Sequence, residues 1–268
     1  MWEIFQYSFM VRAFAAGIMV AVIAPLIGTF LVTKRYALIA DTLSHVALAG
    51  VAIGLLVGWY PLYTTLAIVV VAALLLEWLR TEGKVSGDAV LALFLSGGLA
   101  IAIVLIGIAH GFNVDLFSYL FGSITTVQPV DLWVIAAVGA MVLLITWLLY
   151  KELLYLSFDS EAATVSGLKT RLINSLLVML AAVTVVLSLR IVGVLLISAL
   201  MVIPVLAAAQ IARSFKQTIA LAVLVSLLAV IGGLFSSYYL NLAPGGTIVL
   251  LTILIFIVLK FWNKFSHH

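Results

Sequence analysis

The sequence predicts an all-α, polytopic membrane protein built as a single transmembrane domain, residues 1–268. Three observations carry this. Only 9% of the 268 residues are charged, where a soluble domain carries about 25%. Hydrophobic residues make up 66%, and mean hydropathy is +1.37. The apolar residues also fall into runs of roughly 20, the length that crosses a bilayer core of about 30 Å.

The opening "MWEIFQYSFM" lacks the basic start and cleavage site of a signal peptide. It reads as an interfacial lead-in, with Trp2 and Tyr7 at headgroup level. The first span is expected over 9–32, and Lys34 and Arg35 stop it. The second, 37–58, runs up to "WYP", and the third, 62–79, runs up to Arg80 and Lys84. The fourth, 88–109, is followed by a polar segment at 110–130. The fifth is 131–150, and after a charged stretch the sixth is 172–189. Arg190 divides it from a seventh at 191–212. "RSFK" precedes an eighth at 217–239, and "YYLNLAPGG" precedes a ninth at 246–263. The reversal at Arg190 is very tight, so eight spans, or one re-entrant element there, is the alternative.

Charge orients the spans. With nine spans and the N-terminus outside, one side receives Lys34, Arg35, Arg80, Lys84, Lys151, Lys169, Arg171, Arg213, Lys216, Lys260 and Lys264. Only Arg12 and Arg190 of the thirteen basic residues fall on the other. Positive residues favour the cytoplasmic side, which predicts a cytoplasmic C-terminus in a cell membrane. The net charge of +3 reflects those loops rather than nucleic-acid binding. With no cysteine, disulfides and thiolate metal sites are excluded. Neither a Walker A pattern nor H-E-x-x-H occurs, so the chain carries no nucleotide or hydrolytic signature of its own. It is expected not to be an enzyme and to hold no covalent cofactor. The terminal His267 and His268 are weak evidence for a metal site.

One stretch needs a specific explanation. "ADTLSHVALAGVAIG", residues 40–54, places Asp41 and His45 four apart inside an apolar span. On a helix they share one face. The ten residues from Arg35 to His45 rise about 15 Å, toward the middle of the bilayer. An intramembrane aspartate costs about 3 kcal/mol or more, and such residues face a protein interior or an aqueous path. Gly50, Gly54 and Gly58 recur every four residues on roughly the opposite side, a small-residue stripe that lets a neighbouring helix approach. Carboxylate and imidazole together suit zinc, manganese or iron. They also suit a proton relay, or a plain hydrogen bond that neutralises a buried charge.

Several stretches, in order along nearly the whole chain, resemble the permease subunits of bacterial zinc and manganese ABC importers. "ADTLSHVALAGVAIG" resembles that family's intramembrane motif. "DLFSYLFGSITTVQ", 115–128, looks like its extracytoplasmic segment. "SFDSEAATVSGLKTRL", 157–172, is similar to its cytoplasmic coupling segment. "VGVLLISALMVIPVLAAAQIA", 192–212, resembles its proline-containing span, and "APGGTIVL" its last turn. The resemblance implies the architecture of the vitamin and metal-chelate importer permeases, working as a homodimer. It implies two copies of a separate cytoplasmic ATPase that uses the ATP, and an extracellular or periplasmic metal-binding protein. It places Asp41 and His45 on the path of a transported Zn2+ or Mn2+, and the motif wording is closer to the zinc branch.

The coupling segment also reads physically. Asp159 can cap a helix, Glu161 suits its positive end, and Gly167 can end it. Ser160, Ala162 and Ala163 give it a small face to fit a groove in the ATPase. On the outer side, His110 and Asp115 are candidates to receive the metal. Ser198 and Met201 lie near Pro204, where a kink can free backbone carbonyls. The rivals are a proton-coupled secondary metal transporter and a permease for a metal chelate or vitamin.

Overall fold

A computed structural model describes residues 3–81, 85–109 and 116–266. His110, Asp115, Lys84, His267 and His268 lie outside the described residues. Among the described residues, a short 3-10 turn, Glu3–Gln6, leads into twelve α-helices: α1 (Ser8–Thr33), α2 (Ala37–Val57), α3 (Pro61–Thr81), α4 (Gly87–Ile108), α5 (Leu116–Phe121), α6 (Pro129–Leu148), α7 (Tyr150–Phe158), α8 (Ser160–Val165), α9 (Thr170–Val192), α10 (Ile197–Ala209), α11 (Phe215–Leu240) and α12 (Pro244–Ser266). Among the described residues there is no strand.

Eight of these, α1, α2, α3, α4, α6, α9, α11 and α12, are long and apolar enough to cross a membrane. The seventh expected span is the exception. Its helical part is the 13-residue α10, about 20 Å at 1.5 Å per residue and short of the bilayer core. Eight helices, not the expected nine, are thus long enough to span by themselves, and the seventh place holds a broken element that still runs from α5 to the end where Phe215 meets Phe30 and Phe158. The cause is visible in the backbone. Gly193 turns with φ +85°, and the amides of Val194 and Leu195 donate to the carbonyls of Tyr119 at 2.9 Å and Leu120 at 3.2 Å in α5. A chain inside a membrane must satisfy its backbone polar groups. Here α5 supplies the acceptors, so residues 193–196 need not be helical.

Local signals set the other ends. Three helices, α3, α6 and α12, begin on proline, whose missing N–H has no intrahelical partner at that position anyway. Ser86 caps α4 by accepting from the Ala89 amide, and Ser214 caps α11 by accepting from Gln217. The interior is built from α1, α2 and α9, while α4, α6 and α12 leave most of their surface outward. α1 packs on α11, α10, α9 and α6; α2 packs on α4, α3, α9 and α10. The start of α2 thus lies inside the bundle, beside α10.

Candidate metal site

Asp41 stands one turn into α2 and His45 one turn further, both half-buried. Their surroundings separate the possible roles. The Asp41 carboxylate accepts a hydrogen bond from Ser198 Oγ at 3.3 Å, across from the first turn of α10. His45 Nδ1 is buried without a hydrogen-bond partner, and so is Thr42 Oγ1. That imidazole nitrogen therefore does not engage Asp41. Buried polar atoms are nearly always paired, and one that is not needs a reason. Imidazole nitrogen and carboxylate oxygen are both metal ligands. Among the described residues no group of three or more His, Asp or Glu side chains converges to hold a metal ion. Among the described residues, Asp41 and His45 are thus a pair without a third such ligand.

Glycines aim the helix. A Cβ on Gly50 would stand 2.8 Å from Thr65 Cα, and one on Gly54 3.0 Å from Pro61 Cα, so α3 lies directly on that stripe. Gly58 has a different part. It caps α2 with φ +74°, and nothing lies within 4 Å of a Cβ there. α4 approaches beside the pair: a Cβ on Gly98 would stand 2.8 Å from Val46 N and 3.0 Å from the His45 carbonyl carbon. α10 is held as closely, because a Cβ on Gly28 of α1 would collide with the Met201 carbonyl.

At the end of the bundle where α1 turns into α2, the 157–172 segment forms α7's end, α8 and α9's start. Asp159 Oδ1 accepts from the amides of Glu161 at 3.1 Å and Ala162 at 2.9 Å. The helix closes with Leu168 N donating to Ala163 O at 3.1 Å and Gly167 N to Thr164 O at 3.0 Å. Gly167 takes φ +87°, the left-handed residue of a Schellman ending. Ala163 is fully buried against the bundle, so it faces inward. Ser160, Glu161, Thr164 and Val165 face outward, and Ala162 is half-buried.

Sequence reasoning left Arg190 unexplained on the basic-poor side, and did not single out Asp131. The structure joins them. Both are buried, with Arg190 Nε 3.6 Å from Asp131 Oδ2. Tyr60 donates its hydroxyl to Asp131 Oδ1 at 2.6 Å, and the Gln128 amide donates to Oδ2 at 2.9 Å. The guanidinium also lies 5.1 Å from the Tyr119 ring centre and 5.8 Å from that of Tyr60. Burial, then the hydrogen bond to Asp131, pushes the Tyr60 phenol up, which keeps it a donor. Burial also raises the Tyr119 phenol, against the opposing charge of Arg190. The signal that was available is "QPVD" before an apolar run, a capping-box pattern that the structure realises between Gln128 and Asp131.

Comparison with known proteins places this geometry. Residues 6–263 match the family model described as the ABC 3 transport family. The manganese import system permease protein ScaB of Streptococcus gordonii is 32% identical, over 94% of this chain and 91% of its own. The high-affinity zinc uptake system membrane protein ZnuB of Haemophilus influenzae is 30% identical, over 96% of this chain and 98% of its own. A solved structure of PsaBC from Streptococcus pneumoniae in complex with Fab matches with a TM-score of 0.87 at 30% identity, covering 98% of this chain and 97% of that one. The family match covers nearly the whole chain, and this chain belongs to the ABC 3 transport family.

Proposed function

We propose that this chain is the membrane permease subunit of an ATP-driven importer for a divalent metal ion, with Asp41 and His45 as ligands on the path. The observation that carries the reading is the pair itself: a carboxylate and an unengaged, buried imidazole nitrogen on one face of α2. Relatives named for manganese import and zinc uptake support a transition-metal cargo. Zinc is favoured over manganese on the motif wording, which resembles the zinc branch; a carboxylate and imidazole set takes either ion.

One chain supplies two ligands, whereas zinc commonly takes four. A two-fold homodimer presents the same patch twice, so two Asp41 and two His45 converge on one ion at the axis. The carboxylates offset the cost of dehydrating the cation. The absence of thiolates suits a transient stop rather than a permanent site. Energy comes from two copies of a separate ATPase on the cytoplasmic side, where the C-terminus lies. They dock on α8 through Glu161 and its outward neighbours. A metal-binding protein delivers the ion from outside, toward the segment containing His110 and Asp115.

The test is uptake of radioactive zinc and manganese by cells that depend on this transporter. Asp41→Asn and His45→Ala are each expected to abolish uptake while the protein reaches the membrane in normal amount. Zinc in excess is expected to suppress manganese uptake more than the reverse. Near-normal uptake by both variants would make the pair structural and move the path elsewhere. Loss of uptake on collapsing the proton gradient, with ATP maintained, would favour a secondary transporter.

A further inference from the structure

Lys34 sits where four elements meet. Its ammonium donates to Asn174 Oδ1 near the start of α9, and to Ser160 Oγ at 3.4 Å in the first residue of α8. It lies 5.1 Å from the ring centre of Tyr36, and the Arg80 guanidinium of α3 lies 4.0 Å from that same ring. Arg80 in turn pairs with the buried Glu77 carboxylate at 3.4 Å. Glu77 is the acidic group facing this cluster, Arg80 the second cation, and Asn174 and Ser160 the neutral acceptors.

The turn that carries Lys34 has no slack. Lys34 N donates to Phe30 O at 3.1 Å, Arg35 N to Val32 O at 3.0 Å, and Tyr36 N to Leu31 O at 2.7 Å. Arg35 takes φ +61°, a left-handed conformation unfavourable for a residue with a side chain and held here by the surrounding bonds. α2 starts at Ala37, and Asp41 follows one turn later. A displacement of Lys34 must therefore pass into the start of α2. On its other side Lys34 grips α8, the outward segment, at Ser160.

We propose that Lys34 is the positioning residue that carries movement of α8 to the Asp41 end of α2, coupling ATP hydrolysis to movement of the metal. The inference rests on the metal-permease reading above. The ammonium is suited to this because it has three donors, and charge-assisted bonds are stronger than neutral ones. Burial lowers Lys34 from the ordinary lysine range to about 8, with Glu77 opposing the shift and Arg80 adding to it. The link is charged below about pH 8 and neutral above it. A purely structural role predicts no weakening there. Between about 8 and 10.5 the unfolded chain binds more protons than the folded one, so this group makes the fold more stable as pH rises.

The experiment uses the complete transporter, with its ATPase and binding protein, in vesicles, and measures metal delivered per ATP hydrolysed. Lys34→Met is expected to lower that ratio about ten-fold, the scale of one charge-assisted hydrogen bond, with ATP hydrolysis continuing. Lys34→Arg, which stays protonated, is expected to restore it. Raising the pH from 7 to 9 is expected to lower the wild-type ratio with a midpoint near 8, while Lys34→Arg stays flat. Asn174→Ala provides a second break in the same link should Lys34→Met fail to assemble, and is expected to lower the ratio as well. Identical pH profiles for wild type and Lys34→Arg, or an unchanged ratio in Lys34→Met, would overturn the proposal while leaving the permease reading intact. A wild-type complex that hydrolyses ATP but moves no metal would overturn the permease reading itself.

Discussion

Removing the Asp131 carboxylate is expected to cost more stability than any surface change in this protein. Asp131 is 0% exposed and Arg190 8%. Asp131→Ala takes away the counterion of a buried guanidinium, the acceptor of the Tyr60 hydroxyl and the acceptor of the Gln128 amide. A buried charge left unpaired costs about 3–5 kcal/mol, and a lost helix cap about 1 kcal/mol. Tyr60 is less deeply buried and regains water, so its share is small. The sum, about 3–5 kcal/mol after overlap, is measurable by denaturant unfolding of the purified protein in detergent. Trp133 and Trp59 adjoin the cluster in sequence and report its opening by fluorescence. Arg190→Met alone is expected to lose a similar amount, because it leaves Asp131 buried and unpaired. The double variant Asp131→Leu, Arg190→Met is expected to lose less than either single change, since no uncompensated charge remains. A single-variant loss below about 1 kcal/mol, as for an exposed pair, would refute the reasoning. So would losses that simply add in the double variant.

Three further changes test how the site and the α8 segment are supported. Gly98→Ala puts a methyl against the α2 backbone at Val46 and His45, and overpacking of this kind costs about 1–3 kcal/mol; metal uptake is expected to fall with it. Gly97→Ala meets nothing within 4 Å and is expected to be nearly neutral in the same uptake and unfolding assays. Asp159→Ala leaves the first amides of α8 without their acceptor. It is expected to cost the segment about 1 kcal/mol and to weaken co-purification of the ATPase, with little effect on insertion.

What was legible in the sequence is what hydropathy and local chemistry encode. Helices α1, α2, α4, α9 and α11 lie within a few residues of their expected bounds, because each is an apolar run with a charged or turn-forming break. The caps at Asp159 and Gly167 were readable because their bonds reach only two to five residues along the chain. The seventh span was not. "IVGVLLISALMVIPVLAAA" is as apolar as its neighbours, and hydropathy cannot show that Val194 and Leu195 donate to α5, some 75 residues earlier. The partners of Arg190 and Lys34 were hidden for the same reason. Asp131, Asn174 and Ser160 are far from them in sequence, and charge counting assigns a side of the membrane without assigning a partner.

Those long-range bonds also explain why Asp41 sits where it does. α10 begins inside the bundle because residues 193–196 are held by α5, and Tyr119 of α5 packs on the Arg190 side of the buried ion pair. Close packing of Met201 on Gly28 then fixes the height of α10, and Ser198 meets the Asp41 carboxylate. From the opposite end, Lys34 ties the start of α2 to α8. The carboxylate is thus oriented by an element anchored at the basic-poor end and carried by a helix anchored at the basic end. A single two-sided site has to be sensitive to both ends if access is to alternate between them. A hydroxyl at 3.3 Å is a suitable restraint for that purpose, since a bond this long is weak and a cation can displace it. Had Asp41 been locked to His45 by a short, buried hydrogen bond, the pair would read as structural; the weak restraint seen instead is compatible with the ligand role proposed above.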